Sequence, residues 1–173
     1  FNPYTFKPIE VILAKDRIAA YFTEKQKKAD FGSYQSGDKI IPFQITAEFT
    51  GRDLCGAKYE QLFPYVQPDG DAFRIISGDF VSTEDGTGIV HIAPTFGADD
   101  FRVAQKANIS AILVKDENDN PMPLVDKQGR FVKEVTDFPL RYVKAEYEDD
   151  ETLADPNYKS TDVLLSIKLK EAN

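Results

Sequence analysis

The sequence has no tryptophan and only one cysteine, one methionine and one histidine. Each scarcity removes a class of function. A single thiol, Cys55, excludes an internal disulfide and suits a reducing, cytoplasmic compartment, where it is expected as a small buried group. One histidine and one cysteine, with carboxylates far apart in the chain, do not assemble the three or four ligands of a zinc site. No apolar run approaches the ~18 residues that span a bilayer. The start, Phe1 to Pro8, lacks the charged and apolar regions of a secretory signal. Basic residues are the minority: 21 Lys and Arg stand against 29 Asp and Glu, a net charge of −8. Such a surface repels phosphate, so a strong grip on nucleic acid must come from elsewhere. The sole methionine is Met122, deep inside the chain, and the sequence reads as a piece of something longer.

What remains is an ordinary globular composition, with 42% hydrophobic and 29% charged residues over 173 positions, enough for one domain with a real core. Short apolar segments separated by turn signals dominate. Strands are expected over 9–13, 40–49, 72–81, 89–93, 110–114 and 140–147, with Pro42 marking an edge or bulge. Asp16 is expected to cap a helix carrying Ile18, Ala19, Tyr21 and Phe22, and Lys25 to Lys28 to form a solvated helix face. Another helix begins at Ala98 with Phe101, Ala104 and Ala107 on one face. A last one is capped by Ser160 or Asp162, with Val163, Leu164 and Ile167 inward. Residues 118–123 read as a turn, Gln128-Gly129 as a tight hairpin, and 146–151 as an exposed acidic loop. Many short strands with few helices predict a mainly β fold, a β-barrel with peripheral helices that could also be classed α+β, spanning 1–173 as a single domain.

Chemistry concentrates between Asp85 and Phe101, which holds the only imidazole, a carboxylate pair, three glycines and Pro94. His91 sits on a predicted strand, where a lone histidine often serves packing alone, although an imidazole is costly to keep without a use. Asp99 and Asp100 fall in the first turn of a helix, where carboxylates stabilise the dipole by roughly 0.3–1 kcal/mol. Neighbouring helical residues point about 100° apart, so at most one of the two can face a pocket. A carboxylate there suits a bound ammonium better than it suits proton donation. Gly86-Thr-Gly88 precedes a strand and lacks a third glycine before a helix, which excludes a dinucleotide loop. A Cys55–His91 nucleophilic pair has no supporting spacing.

Gly86-Thr-Gly-Ile-Val-His-Ile-Ala-Pro94, followed by Gly97 and Asp99-Asp100-Phe101, resembles the editing domain inserted into isoleucyl-tRNA synthetases. Residues 51–63, 76–81 and 123–131 extend the resemblance over most of the chain. Sister editing domains for valine and leucine are expected to carry lysine or methionine at the position of His91, which favours the isoleucine branch over a valyl or leucyl relative.

The resemblance implies post-transfer editing: hydrolysis of valine wrongly esterified to the isoleucine tRNA. A missing methylene costs too little binding energy for the synthetic site to reject valine, the worked case of double-sieve editing. In the family the residue matching Asp100 binds the α-ammonium, and the one matching His91 lines the pocket, gating side-chain size or contacting ribose. Gly88, Ala93, Pro94 and Asp99 complete the expected substrate-binding set. Neither cofactor nor metal is implied; the partners are the acylated 3′ end of tRNA and the remainder of a cytoplasmic, ATP-using synthetase. The family's threonine-rich pocket segment lies upstream of the matched region, and the chain holds no adjacent threonines. The isolated chain is therefore expected to edit weakly or not at all. A non-catalytic structural or tRNA-docking barrel is the alternative.

Overall fold

The computed structural model describes residues 1, 2 and 5–172, which gather into two compact units. The first comprises Phe1–Ala57 and Arg74–Ile92; the second comprises Lys58–Phe73 and Ala93–Asn173.

In the first unit a 3-10 turn over Lys15–Arg17 leads into α1 (Ile18–Tyr21), followed by α2 (Glu24–Lys28). Asp16 does not cap α1. The helical turn opens ahead of it at Ala14, and the Asp16 carboxylate instead accepts from the Thr83 hydroxyl at 3.2 Å. Thr23 is the effective cap, closing a reciprocal box with Gln26 at the start of α2, whose lysines face solvent as expected. Gly56 and Ala57 exchange backbone hydrogen bonds with Ile75, each 2.9 Å. Stacked rings join Phe1 to Phe31 and Tyr34, and Phe22 leans on Phe43.

Segments 9–13 and 40–49 do not pair into ladders among the described residues. Pro42 lacks a donor, and in 9–13 apolar residues occupy both parities, so no single face selects a register. Ile9, Val11, Ile12, Ile45 and Phe49 are consequently exposed. Cys55 is exposed too, against expectation: its turn, Gly51–Leu54 and onward, lies at the surface with the thiol directed at the Gly51 carbonyl.

The second unit has a core. Val132, Val135 and Phe138 are buried, with Tyr65, Val114, Met122, Leu124, Phe131, Leu164 and Leu165 packed around them. Regular β pairing among the described residues is one antiparallel pair, β1 (Val114–Lys115) with β2 (Pro121–Met122), in the register Val114 to Met122 and Lys115 to Pro121. The turn between them is set by Asp116, whose carboxylate accepts from the amides of Asn118 and Asn120, which holds it below its ordinary pKa. Isolated bridges join Val125 to Phe131 and Arg130 to Tyr142. The expected hairpin at Gly129 is present. Gly129 adopts a φ of 81°, and Asp126 holds the turn through the Arg130 amide and guanidinium. Among the described residues the regular structure is one short β pair, five α-helices and four 3-10 turns, and a barrel is not shown.

The helices of the second unit are α3 (Ala98–Lys106), α4 (Asp150–Ala154) and α5 (Thr161–Glu171). On α3 the inward residues are Val103 and Ala104, while Phe101 stays 55% exposed, a correction to the expected face. The acidic stretch 146–151 is largely exposed as expected but helical at both ends: Ala145–Tyr147 is a 3-10 turn, and Asp149 caps α4 by accepting from the Thr152 amide at 2.7 Å. Ser160 caps α5. Leu164 and Leu165 face the core, whereas Val163 and Ile167 look outward, so two of the three expected inward residues are not. Asp137 fastens α5 to the core loop: it takes the Lys168 ammonium at 2.5 Å and the Tyr65 hydroxyl at 2.6 Å. Those two donors hold its carboxyl below the usual range, and burial plus the nearby carboxylate pushes the Tyr65 phenol up to about 12. Among the described residues no helix is long and apolar enough to cross a membrane.

Candidate functional site

The motif from Asp85 to Phe101 is divided between the units, residues up to Ile92 in the first and those from Ala93 in the second. In the first unit the loop 84–88 is clamped from the chain's start. Arg17 donates through Nε to the Gly86 carbonyl at 2.9 Å and through Nη1 to the Glu84 carbonyl at 2.8 Å. The Ala14 amide donates to the Thr87 carbonyl at 2.8 Å. Gly88 allows this approach. Its φ is 77°, and a Cβ there would lie 2.5 Å from the Ala14 Cβ. The Thr87 hydroxyl bonds the backbone of Ile89 on both its amide and its carbonyl. His91 follows on an exposed stretch with Ile89 and Val90, and its imidazole has no hydrogen-bond partner among the described residues.

In the second unit the two carboxylates divide. Asp99 turns outward and pairs with Arg102 at 3.1 Å along the exposed face of α3. Asp100 is half-buried and folds back over the preceding turn, where its Oδ2 accepts from the Ala93 amide at 3.0 Å. The turn is completed by the Phe96 amide on the Ala93 carbonyl and the Phe101 amide on the Gly97 carbonyl. Ala93 and Pro94 are half-buried beside it. An ionised carboxylate is an acceptor with about four lone-pair sites, so one amide leaves Asp100 able to receive a cationic donor.

The site residues named from the sequence thus fall into two groups, Gly88 and His91 in one unit, Ala93, Pro94, Asp99 and Asp100 in the other. The clamp by Arg17 has no sequence signal, because donor and acceptor stand 69 residues apart.

No protein-family model matches the chain. Individual relatives do. It is 59% identical to an isoleucine–tRNA ligase of Cytophaga hutchinsonii, an alignment that takes in 100% of this chain and 16% of that protein. It is 43% identical to the isoleucine–tRNA ligase of Porphyromonas gingivalis, again over 100% of this chain and 16% of the relative. A cytoplasmic isoleucine–tRNA ligase of Arabidopsis thaliana is 37% identical over 77% of the chain and 12% of its own length. The chain therefore spans about one sixth of the curated relatives it matches. With 59% identity running through all of its residues, the chain belongs, as a segment, to the isoleucine–tRNA ligase family.

Proposed function

We propose that this segment is the editing domain of an isoleucyl-tRNA synthetase and that it clears valine esterified to the isoleucine tRNA. The observation that carries the reading is end-to-end identity with isoleucine–tRNA ligases across a chain whose densest chemistry is the Gly86–Asp100 motif. Asp100 receives the α-ammonium of the misplaced amino acid. His91 borders the side-chain cavity, with Gly88, Ala93 and Pro94 supplying backbone close to the substrate and Asp99 remaining on the helix surface. Water attacks the ester carbonyl, the acyl–oxygen bond breaks, valine leaves as the free acid and the tRNA hydroxyl recovers its proton. Neither metal nor cofactor takes part. Orientation and local electrostatics supply the rate, which agrees with a site built from an ammonium acceptor and backbone groups.

A mainly β, barrel-like architecture belongs to the same proposal and rests on the family resemblance, since segments 9–13 and 40–49 form no ladder among the described residues. The remainder of a cytoplasmic synthetase supplies amino-acid activation and most of the tRNA grip, consistent with the −8 charge of this part. Exposed apolar side chains such as Ile9, Val11, Ile45 and Phe49 suit contact with those neighbouring parts.

The test is deacylation of valyl-tRNA by the full-length enzyme carrying single substitutions. Loss of a hydrogen bond to a charged group is worth roughly 1.5–3 kcal/mol, so Asp100→Ala should slow hydrolysis by about 10- to 150-fold. Asp99→Ala should leave it nearly unchanged, because that carboxylate is engaged with Arg102. His91→Ala should widen the cavity and admit correctly charged isoleucyl-tRNA to hydrolysis. A damaging Asp99→Ala with a silent Asp100→Ala would reverse the carboxylate assignment.

A further inference from the structure

We propose that Gly97 is a positioning residue for the ammonium-binding carboxylate, acting through the space its missing side chain leaves to Asp100; this rests on the editing reading above. Gly97 is the N-cap of α3, with φ −156° and ψ 139°, an extended backbone that any residue adopts. Dihedral freedom does not explain a glycine there. Capping does not either, because serine, aspartate or asparagine would cap better and no side-chain cap bond is made.

The explanation is what lies over it. A Cβ built on Gly97 would sit 3.1 Å from the Asp100 Cγ, 3.2 Å from its Oδ2 and 3.4 Å from its Cβ. The carboxylate occupies that space. Asp100 stands at the third helical position, from which an acidic side chain ordinarily reaches back to the N-cap amide. It reaches further, to the Ala93 amide at 3.0 Å, in a path that runs over the bare Cα of Gly97. The carboxylate is thus held by one donor in front and lies in the space that a methyl on Gly97 would need. Adding the methyl makes the carboxylate give by a few tenths of an ångström against its bond to the Ala93 amide, while the helix that carries it is free to form.

The experiment measures binding of two stable analogues to the full-length enzyme: the valyl amide of 3′-amino-adenosine, and its counterpart with an α-hydroxyl in place of the α-ammonium. Wild type should prefer the ammonium-bearing analogue by roughly tenfold or more, the span expected for one charge-assisted contact. Gly97→Ala should shrink that preference measurably, Asp100→Asn should shrink it further, and the affinity of Gly97→Ala for the hydroxyl analogue should stay near wild type. Gly51→Ala is the control, since a Cβ there meets nothing within 4 Å, and it should keep the full preference. A Gly97→Ala enzyme that retains the preference overturns the role of Gly97 and leaves the editing reading intact. Equal loss of both analogues also overturns it, as a general packing defect. A wild-type enzyme with no preference between the analogues sinks the ammonium assignment of Asp100 instead.

Discussion

The two units hold their share of the motif by different means. In the second, the turn that carries Asp100 is rooted on α3, whose Val103 and Ala104 are buried, and a separate core of Val132, Val135 and Phe138 anchors the unit. In the first, the loop before His91 is held by polar ties, the Arg17 guanidinium and the Ala14 amide on three backbone carbonyls, while Ile89 and Val90 beside it stay exposed. Buried apolar side chains meet no water competing for their contacts. A guanidinium on carbonyls at a half-exposed site competes with water. The carboxylate half of the motif therefore rests on a stiffer local support than the imidazole half.

The sharpest way to test that contrast is to remove the stiffer support. Phe138 is 6% exposed and packs in the centre of the second unit's core, against Phe131 among others. Phe138→Ala should cost about 3–5 kcal/mol, the range for large aromatic truncations in cores. Denaturant unfolding followed at residues of the second unit should show the midpoint fall with little change in protection at the Arg17 clamp. A loss spread equally over both units would mean that the first depends on the second's core and would remove the contrast.

The complementary substitution, Arg17→Ala, deletes two hydrogen bonds from a charged donor. Discounted for solvent access, its effect should be about 1 kcal/mol, felt locally. Amide exchange at Ala14, whose proton is held by the Thr87 carbonyl, should quicken several-fold, and exchange at Ala93, held by Asp100, should not. Parallel acceleration at both amides would show that the halves of the motif move as one.

How far the sequence disclosed this arrangement depends on whether the controlling contact was local. The start of α3 near Ala98, the Ser160 cap, the turn at Gly129 and the solvated lysines of α2 follow from residues a few positions apart, and all are present. The acidic stretch around Asp149 misled because charge suggested a loop, while a local signal, aspartate three residues before the Thr152 amide, specified a cap. Choosing Phe101, Ala104 and Ala107 as one face of α3 used a strict three-residue step, which drifts around a 3.6-residue helix; the buried pair is Val103 and Ala104. Alternation identifies strand-like segments but not their partners, since pairing depends on register between distant stretches, as in 9–13 and 40–49. That at most one of Asp99 and Asp100 turns inward was legible from helical spacing, but which one was not. The Arg17 clamp and the Asp137 fastening of Tyr65 to Lys168 were not, because each joins groups tens of residues apart.

The smallest expected effect separates the units by pH. The Tyr65 phenol, pushed up to about 12 by burial and by the Asp137 carboxylate, belongs to the second unit alone. Its ordinary value is 10.0. Between those values the folded state keeps a proton that the unfolded state releases, so stability present below pH 10 declines as pH rises toward 12. Asp137 acts at the other end. Its carboxyl is held low by Lys168 and Tyr65, so its contribution is present above the ordinary value of 3.8 and fades as acid carries the pH through its lowered value. Tyr65→Phe should flatten the alkaline decline. The slope at the acid end should persist, because Lys168 still holds the carboxylate. Melting profiles from pH 9 to 12 on wild type and Tyr65→Phe check the sign. An alkaline decline of the same size in both would assign it to other groups and leave the Tyr65–Asp137 bond without a measurable part in holding α5 to its core.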